Sequence, residues 1–252
     1  MAFGLDRRTQ FGTRTAAGVA IDEGLRQHML RVYNYMATAL ALTGIIAYVT
    51  AGMSVVTNDA GQIVAYTQLG ATLFGSPLQW VVMLAPLGFV FFLSARINRM
   101  NFSTAQTVFW VFAGMMGISF ATIFIAYTGA SITRVFFITA GTFAGMSLFG
   151  YTTKKDLTGW GSFLFMGLIG IIIAMVVNIF LQSSALDFMI SAIGVIVFVG
   201  LTAYDTQKIK EMYLEADDSE TMGKKAIMGA LRLYLDFINL FIMLLRLFGD
   251  RR

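Results

Sequence analysis

Long apolar stretches alternate with short polar breaks along almost the whole chain. A helix that crosses a bilayer needs about 20 mostly apolar residues, since a rise of about 1.5 Å per residue must cover a core of about 30 Å. Seven stretches meet this length: about Val32–Val55, Gln79–Ile97, Thr104–Thr128, Ser131–Tyr151, Gly161–Leu181, Leu186–Gln207, and a last one that follows Lys224 and Lys225 and runs to Phe248. The stretches are continuous rather than alternating, so they predict helices and not barrel strands. The expected fold is all-α, a polytopic membrane protein with seven transmembrane helices. Between the first two spans, Thr57–Leu78 reads as a polar-to-small outer loop without Lys or Arg. Pro86 removes a backbone donor inside the second span and predicts a kink there. Gly141 and Gly145 lie one turn apart on the fourth span, a spacing that predicts close helix packing.

Composition agrees with this reading. The 252 residues are 57% hydrophobic and 13% charged, against roughly 25% charged in soluble chains. There is no cysteine, which excludes disulfides and cysteine-based metal or redox sites. An isoelectric point near 9.4 reflects cytoplasmic Lys and Arg in such a chain, and nucleic acid is not expected as a partner. With the N-terminus inside, the inner segments hold thirteen Lys and Arg and the outer ones four, with Arg232 inside the last run. That bias predicts a cytoplasmic N-terminus. Residues 1–28 read as a cytoplasmic tail, with Arg7, Arg8 and Arg14 and no secretory signal core, and residues 29–252 as the seven-helix domain. Arg246, Arg251 and Arg252 oppose a seventh crossing, which leaves a re-entrant last segment open.

Two acids interrupt the apolar pattern. An ionised carboxylate is costly in hydrocarbon, so an acid within a span is a functional-site candidate. Asp205 lies in GLTAYDTQKIK (Gly200–Lys210), three residues before Lys208 and so about 4–5 Å below the interface. Asp236 lies in LYLDFINLF. Were the last span to enter at Lys225, Asp236 would sit about 16 Å deep and miss Asp205. If it enters near Leu231, Arg232 snorkels to the interface, and Asp236 lies about 6 Å below it. The rest of the run is then about 27 Å long. This second register puts both acids at one level. Carboxylates in contact do not both ionise cheaply, and such a pair titrates as a unit that can hold one shared proton. Arg96, Arg99 and Arg232 share this level, and Arg232 can pair with Asp236 at i,i+4. Arg232, Tyr204, Gln207 and Asn239 are the expected polar neighbours of the pair. The plainer alternative is a set of interfacial ion pairs that only place the helices.

GLTAYDTQKIK and LYLDFINLFIMLLRLFG resemble the two C-terminal signature segments of the transmembrane Bax inhibitor motif family. TKKDLTGWGSFLFMGLIG and VNIF resemble its bacterial branch, and RVYNYMATALALTGIIAYV resembles its first span. The resemblance covers about Leu25 to Gly249. It implies seven helices with the last near the centre of the bundle, and a bacterial inner (plasma) membrane. It implies a pH-sensitive calcium leak, with Asp205 and Asp236 as a paired-aspartate sensor in the ion path. It also implies a latching arginine at the end of the second span, best matched by Arg96, with Arg99 a near rival.

No cofactor is expected, with calcium as transported ion and protons as regulators. Calcium takes several oxygen ligands, and the outer acids are few, Asp59 and Asp187. A transient passage of the metal past Asp205 and Asp236 therefore fits better than a fixed site. A calcium/proton exchanger on the same pair is one alternative. A regulatory membrane protein that binds a membrane protease or a death-signalling partner is another. Two aspartates on adjacent spans also resemble intramembrane aspartyl proteases. Those carry a glycine shortly before the second aspartate and a later proline motif. Here Tyr234-Leu235 precede Asp236, and Pro77 and Pro86 are the only prolines, so the chain reads as no enzyme. The single histidine, His28, reads as interfacial, and the acids from Glu211 to Glu220 as a solvated loop face.

Overall fold

The computed structural model describes the backbone of residues 6–58 and 62–252 and the side chains of residues 23–58 and 62–252. Residues 1–5, the side chains of Arg7, Arg8 and Arg14, and Asp59 lie outside the described residues. Helix α1 (Asp6–Ser54) runs through the first span, and its helical backbone reaches back into the N-terminal segment. Strands β1 (Val55–Thr57) and β2 (Ile63–Tyr66) pair antiparallel, with Val55 opposite Tyr66. Helix α2 (Gln68–Phe74) follows, capped by the Thr67 side chain. The expected outer loop is therefore a small hairpin and one short helix. Its strands are mostly exposed and too short to show an alternating pattern. Helix α3 (Leu78–Arg96) passes through Pro86 without a break and ends in a tight turn at Ile97–Arg99. Helices α4 (Phe102–Ala126), α5 (Gly129–Thr152), α6 (Thr158–Leu181), α7 (Ser184–Glu211) and α8 (Ser219–Phe248) complete the bundle. Among the described residues, seven helices are long and apolar enough to cross a membrane.

Caps decide where helices begin. Asn101, Thr128, Ser183 and Asp218 each accept a hydrogen bond from a backbone N–H in the first turn that follows, which satisfies donors the helix leaves open. The Asp218 cap starts α8 two turns ahead of the apolar run. Lys224 pairs with Glu220 at 3.2 Å and Lys225 with Asp217 at 2.5 Å, and these pairs hold the polar turns.

α8 is the axis of the bundle. It packs on α1, α4, α5 and α7, while α3 lies outside on α4, and α6 outside on α7. In the apolar window of α8 72% of residues are buried, against 11% for α6. Yet α6 is the more apolar helix. Its Phe163 and Phe180 face outward, where lipid is as good a solvent as the core. α8 is also pinned by hydrogen bonds. The Tyr234 hydroxyl, fully buried, lies 2.8 Å from Thr43 Oγ1 on α1, and Thr43 donates to the Ala113 carbonyl on α4 at 2.9 Å.

α8 crosses the full bundle. Near its start, Lys224 donates to the Met100 carbonyl between α3 and α4. Beyond its end, the Thr128 and Arg252 N–H groups donate to the Asp250 and Ala126 carbonyls, clasping the C-terminus onto the α4–α5 turn. α4 connects those two levels, so α8 spans the same thickness, and the re-entrant alternative does not hold. The C-terminal arginines are accommodated locally. Arg246 pairs with Asp187 at 3.1 Å, and Arg251 sits 5.8 Å from the Tyr127 ring centre.

The glycine expectation needs correction. Gly141 and Gly145 are exposed, and a Cβ at either would meet nothing within 4 Å. The close approaches fall elsewhere. A Cβ on Gly150 of α5 would run into the Ala203 carbonyl of α7, and one on Gly117 of α4 would lie 2.9 Å from the Thr43 carbonyl of α1. Spacing alone does not say which face of a helix meets a neighbour.

Candidate functional site

Asp205 and Asp236 meet where α7 and α8 pack together. Their side chains lie within hydrogen-bonding reach of one another. Asp236 is 5% exposed, and its Oδ2 has no hydrogen-bond partner. Asp205 is less enclosed, with 17% of its side chain exposed. Between two carboxyl groups at this distance, a hydrogen bond requires a proton on one of them. The arrangement is therefore two neighbouring acids with one unpartnered oxygen on the buried member.

The cation at the pair is Arg232. Its Nη1 lies 3.8 Å from Asp205 Oδ1, with the guanidinium half exposed. The sequence allowed an i,i+4 pair with Asp236 and left the partner open; the ion pair crosses from α8 to α7. Asp236 turns into the bundle while Arg232 turns out, so the bond goes to the acid nearer the surface. Arg96 and Arg99, the expected latch residues, are exposed, and neither enters an ion pair among the described residues.

The other expected neighbours serve the helices around the pair. Gln207 accepts from the Leu157 N–H and donates to the Lys155 carbonyl, both at 2.8 Å, which fixes the α5–α6 connection to α7. Tyr204 lies against Gly161 of α6, with Lys208 Nζ 5.8 Å from its ring centre. Asn239 donates to the Leu235 carbonyl of its own helix. A polar chain missed in the sequence runs beside the pair. Tyr33 on α1 bonds Ser147 on α5 at 2.6 Å, and Ser147 bonds Thr206 on α7, next to Asp205, at 3.0 Å. Isolated Ser and Thr in apolar runs were the available signal. Among the described residues no group of three His, Cys, Asp or Glu converges as a metal site. Asp187, an expected outer acid, is held by Arg246.

Comparison with known proteins decides the family. The sequence model described as "Inhibitor of apoptosis-promoting Bax1" matches residues 25–252. The chain belongs to the Bax inhibitor family. Within that family, the chain is 49% identical to RP147 of Rickettsia prowazekii over 95% of its own length and 96% of that protein's. It is 46% identical to the inner membrane protein YbhL of Escherichia coli K12, over 91% and 94% of the two chains. A Caulobacter vibrioides protein is 44% identical over 94% and 93%. This member of the Bax inhibitor family is thus a multi-pass integral membrane protein. Its two acids meet in the packed interface between α7 and the central helix α8.

Proposed function

We propose that the protein is a pH-sensitive calcium leak of the bacterial inner membrane, with Asp205 and Asp236 as its proton sensor and Arg232 as the cation facing them. One observation carries the reading: a buried carboxyl, Asp236, touches a second carboxyl, keeps one oxygen unpaired, and sits on the helix around which the bundle packs. With one proton shared, the pair is a hydrogen bond between α7 and α8. With that proton lost, two negative charges face each other, and the contact becomes repulsive. A proton at this position therefore biases how two packed helices sit. Two acids fall short of a calcium cage of six or more oxygens, so the ion passes the pair rather than residing there. Protons and calcium are the partners in this reading, and catalysis has no part in it.

The test is calcium entry into proteoliposomes measured from about pH 5 to about pH 8, since a coupled pair titrates as a unit. The expected result is a leak whose rate changes across this range, and a pH dependence abolished in Asp205→Asn and Asp236→Asn. A pH response unchanged in both variants sinks the sensor. An imposed proton gradient that drives calcium uphill replaces the leak with exchange. No flux at any pH removes both and leaves a regulatory binding role.

A further inference from the structure

α1 and α5 both lie on α8 and meet through the Tyr33–Ser147 bond, but each packs far more on other helices than on the other. A groove opens between them toward the surrounding membrane. It has an inner chamber of about 510 Å³ and an outer chamber of about 750 Å³, and Met36 and Phe143 line both. α8 contributes Phe237, Ile238 and Phe241 to the outer chamber. From Arg26 to Tyr48, the α1 wall is about 33 Å long, close to a whole hydrocarbon core.

We propose that this groove is a lipid site holding one acidic phospholipid, with its phosphate headgroup against Arg26 and near Lys210, and an acyl chain laid between α1 and α5. The chemistry changes along the groove in the way such a molecule requires. At the inner mouth stand Arg26, Tyr33, Ser147 and Tyr151. Lys210 does not line the cavity but stands behind Tyr151, with its Nζ 2.9 Å from the Tyr151 carbonyl and 5.4 Å from that ring's centre. Arg26 has a carboxylate nearby, Glu23 at 3.3 Å, but both side chains are more than half exposed. Such a pair is weak and leaves the guanidinium able to take a phosphate. Farther in, the lining is almost wholly apolar. The Thr43 hydroxyl there is already committed to Ala113 and Tyr234. Water entering that chamber finds few partners, whereas an acyl chain enters from the bilayer without losing hydrogen bonds. Among the described residues, two cations stand near one exposed acid at this end, a balance that favours an anionic headgroup over a zwitterionic one.

The test is photolabelling in vesicles of phosphatidylethanolamine and phosphatidylglycerol. Phosphatidylglycerol or phosphatidylcholine carrying an acyl-chain diazirine serves as probe, and peptide mapping locates the adducts. The phosphatidylglycerol probe is expected to label the groove around Leu40, Ala140 and Phe237 in preference to the phosphatidylcholine probe. Both should label the outward face of α6 at Phe163 and Phe180 alike. Arg26→Gln should lower groove labelling by phosphatidylglycerol about fivefold, with α6 labelling unchanged as the measure of an intact bundle. Groove labelling no stronger than that of α6 overturns the site. Equal labelling by the two probes, or groove labelling unaltered in Arg26→Gln, overturns the headgroup assignment and with it the proposal. None of these readouts depends on ion flux.

Discussion

Asp236 carries a buried oxygen without a partner, a configuration that costs a folded protein stability unless something else requires it. Its neighbour Asp205 faces Arg232 at 3.8 Å, so the two acids occupy unequal electrostatic positions although they touch. The guanidinium is half exposed, and solvent weakens its influence. Even so, among the described residues it is the cation in ion-pair contact with the pair, whereas Arg96 and Arg99 are exposed. Arg232→Gln is therefore expected to move the midpoint of the pH dependence of calcium flux by up to about one unit. Arg96→Gln should leave it nearly in place. Flux titrations of the two variants decide which arginine is coupled to the acids. A shift confined to Arg96→Gln would place the latch at the end of α3 instead.

At the scale of helices, contact is made through small residues, but not those that spacing suggests. Gly150 brings α5 onto the backbone of α7, where a Cβ meets a carbonyl that has nowhere to move. Gly145, one residue more than a turn earlier, faces open space. Gly150→Leu is expected to destabilise the bundle by about 1–3 kcal/mol, the usual cost of forcing atoms into a packed contact. Gly145→Leu should stay within about 0.5 kcal/mol. Thermal unfolding of the two variants in detergent, followed by circular dichroism, makes the comparison. Equal stability would mean that α5 and α7 separate freely at Gly150. The contrast also shows where sequence reading ends. The seven spans were legible because a bilayer imposes a length and a polarity that any crossing helix must meet. The meeting of Asp205 and Asp236 was legible because a depth along a helix axis follows from residue count. Rotation about that axis does not follow from either. The glycine faces and the partner of Arg232 depend on rotation, and those are the expectations that the structure altered.

For the molecule as a whole, direction is set by where charges and ends come to rest. α8 begins beside the α3–α4 connection and ends clasped to the α4–α5 turn, so its ends lie at opposite faces. The clasp joins residues 126–128 to residues 250–252, more than a hundred positions apart, and no local pattern announces it. It also answers the charge problem posed by the C-terminal arginines. Arg246 and Arg251 have partners in Asp187 and the Tyr127 ring, and Arg134 pairs with Asp250 at 2.8 Å. The strong Lys and Arg excess elsewhere in the chain predicts a cytoplasmic N-terminus and an outer C-terminus. The chain has no cysteine, which makes the expectation directly measurable. Arg252→Cys and Lys155→Cys each introduce one thiol at an exposed position, and the Arg252 backbone bond to Ala126 survives the change. In intact cells, a membrane-impermeant maleimide should label Cys at position 252 and should reach position 155 only after permeabilisation. The reverse pattern inverts the protein in the membrane. Labelling of both from one side would mean that α8 does not cross, and that the clasp forms only outside the bilayer.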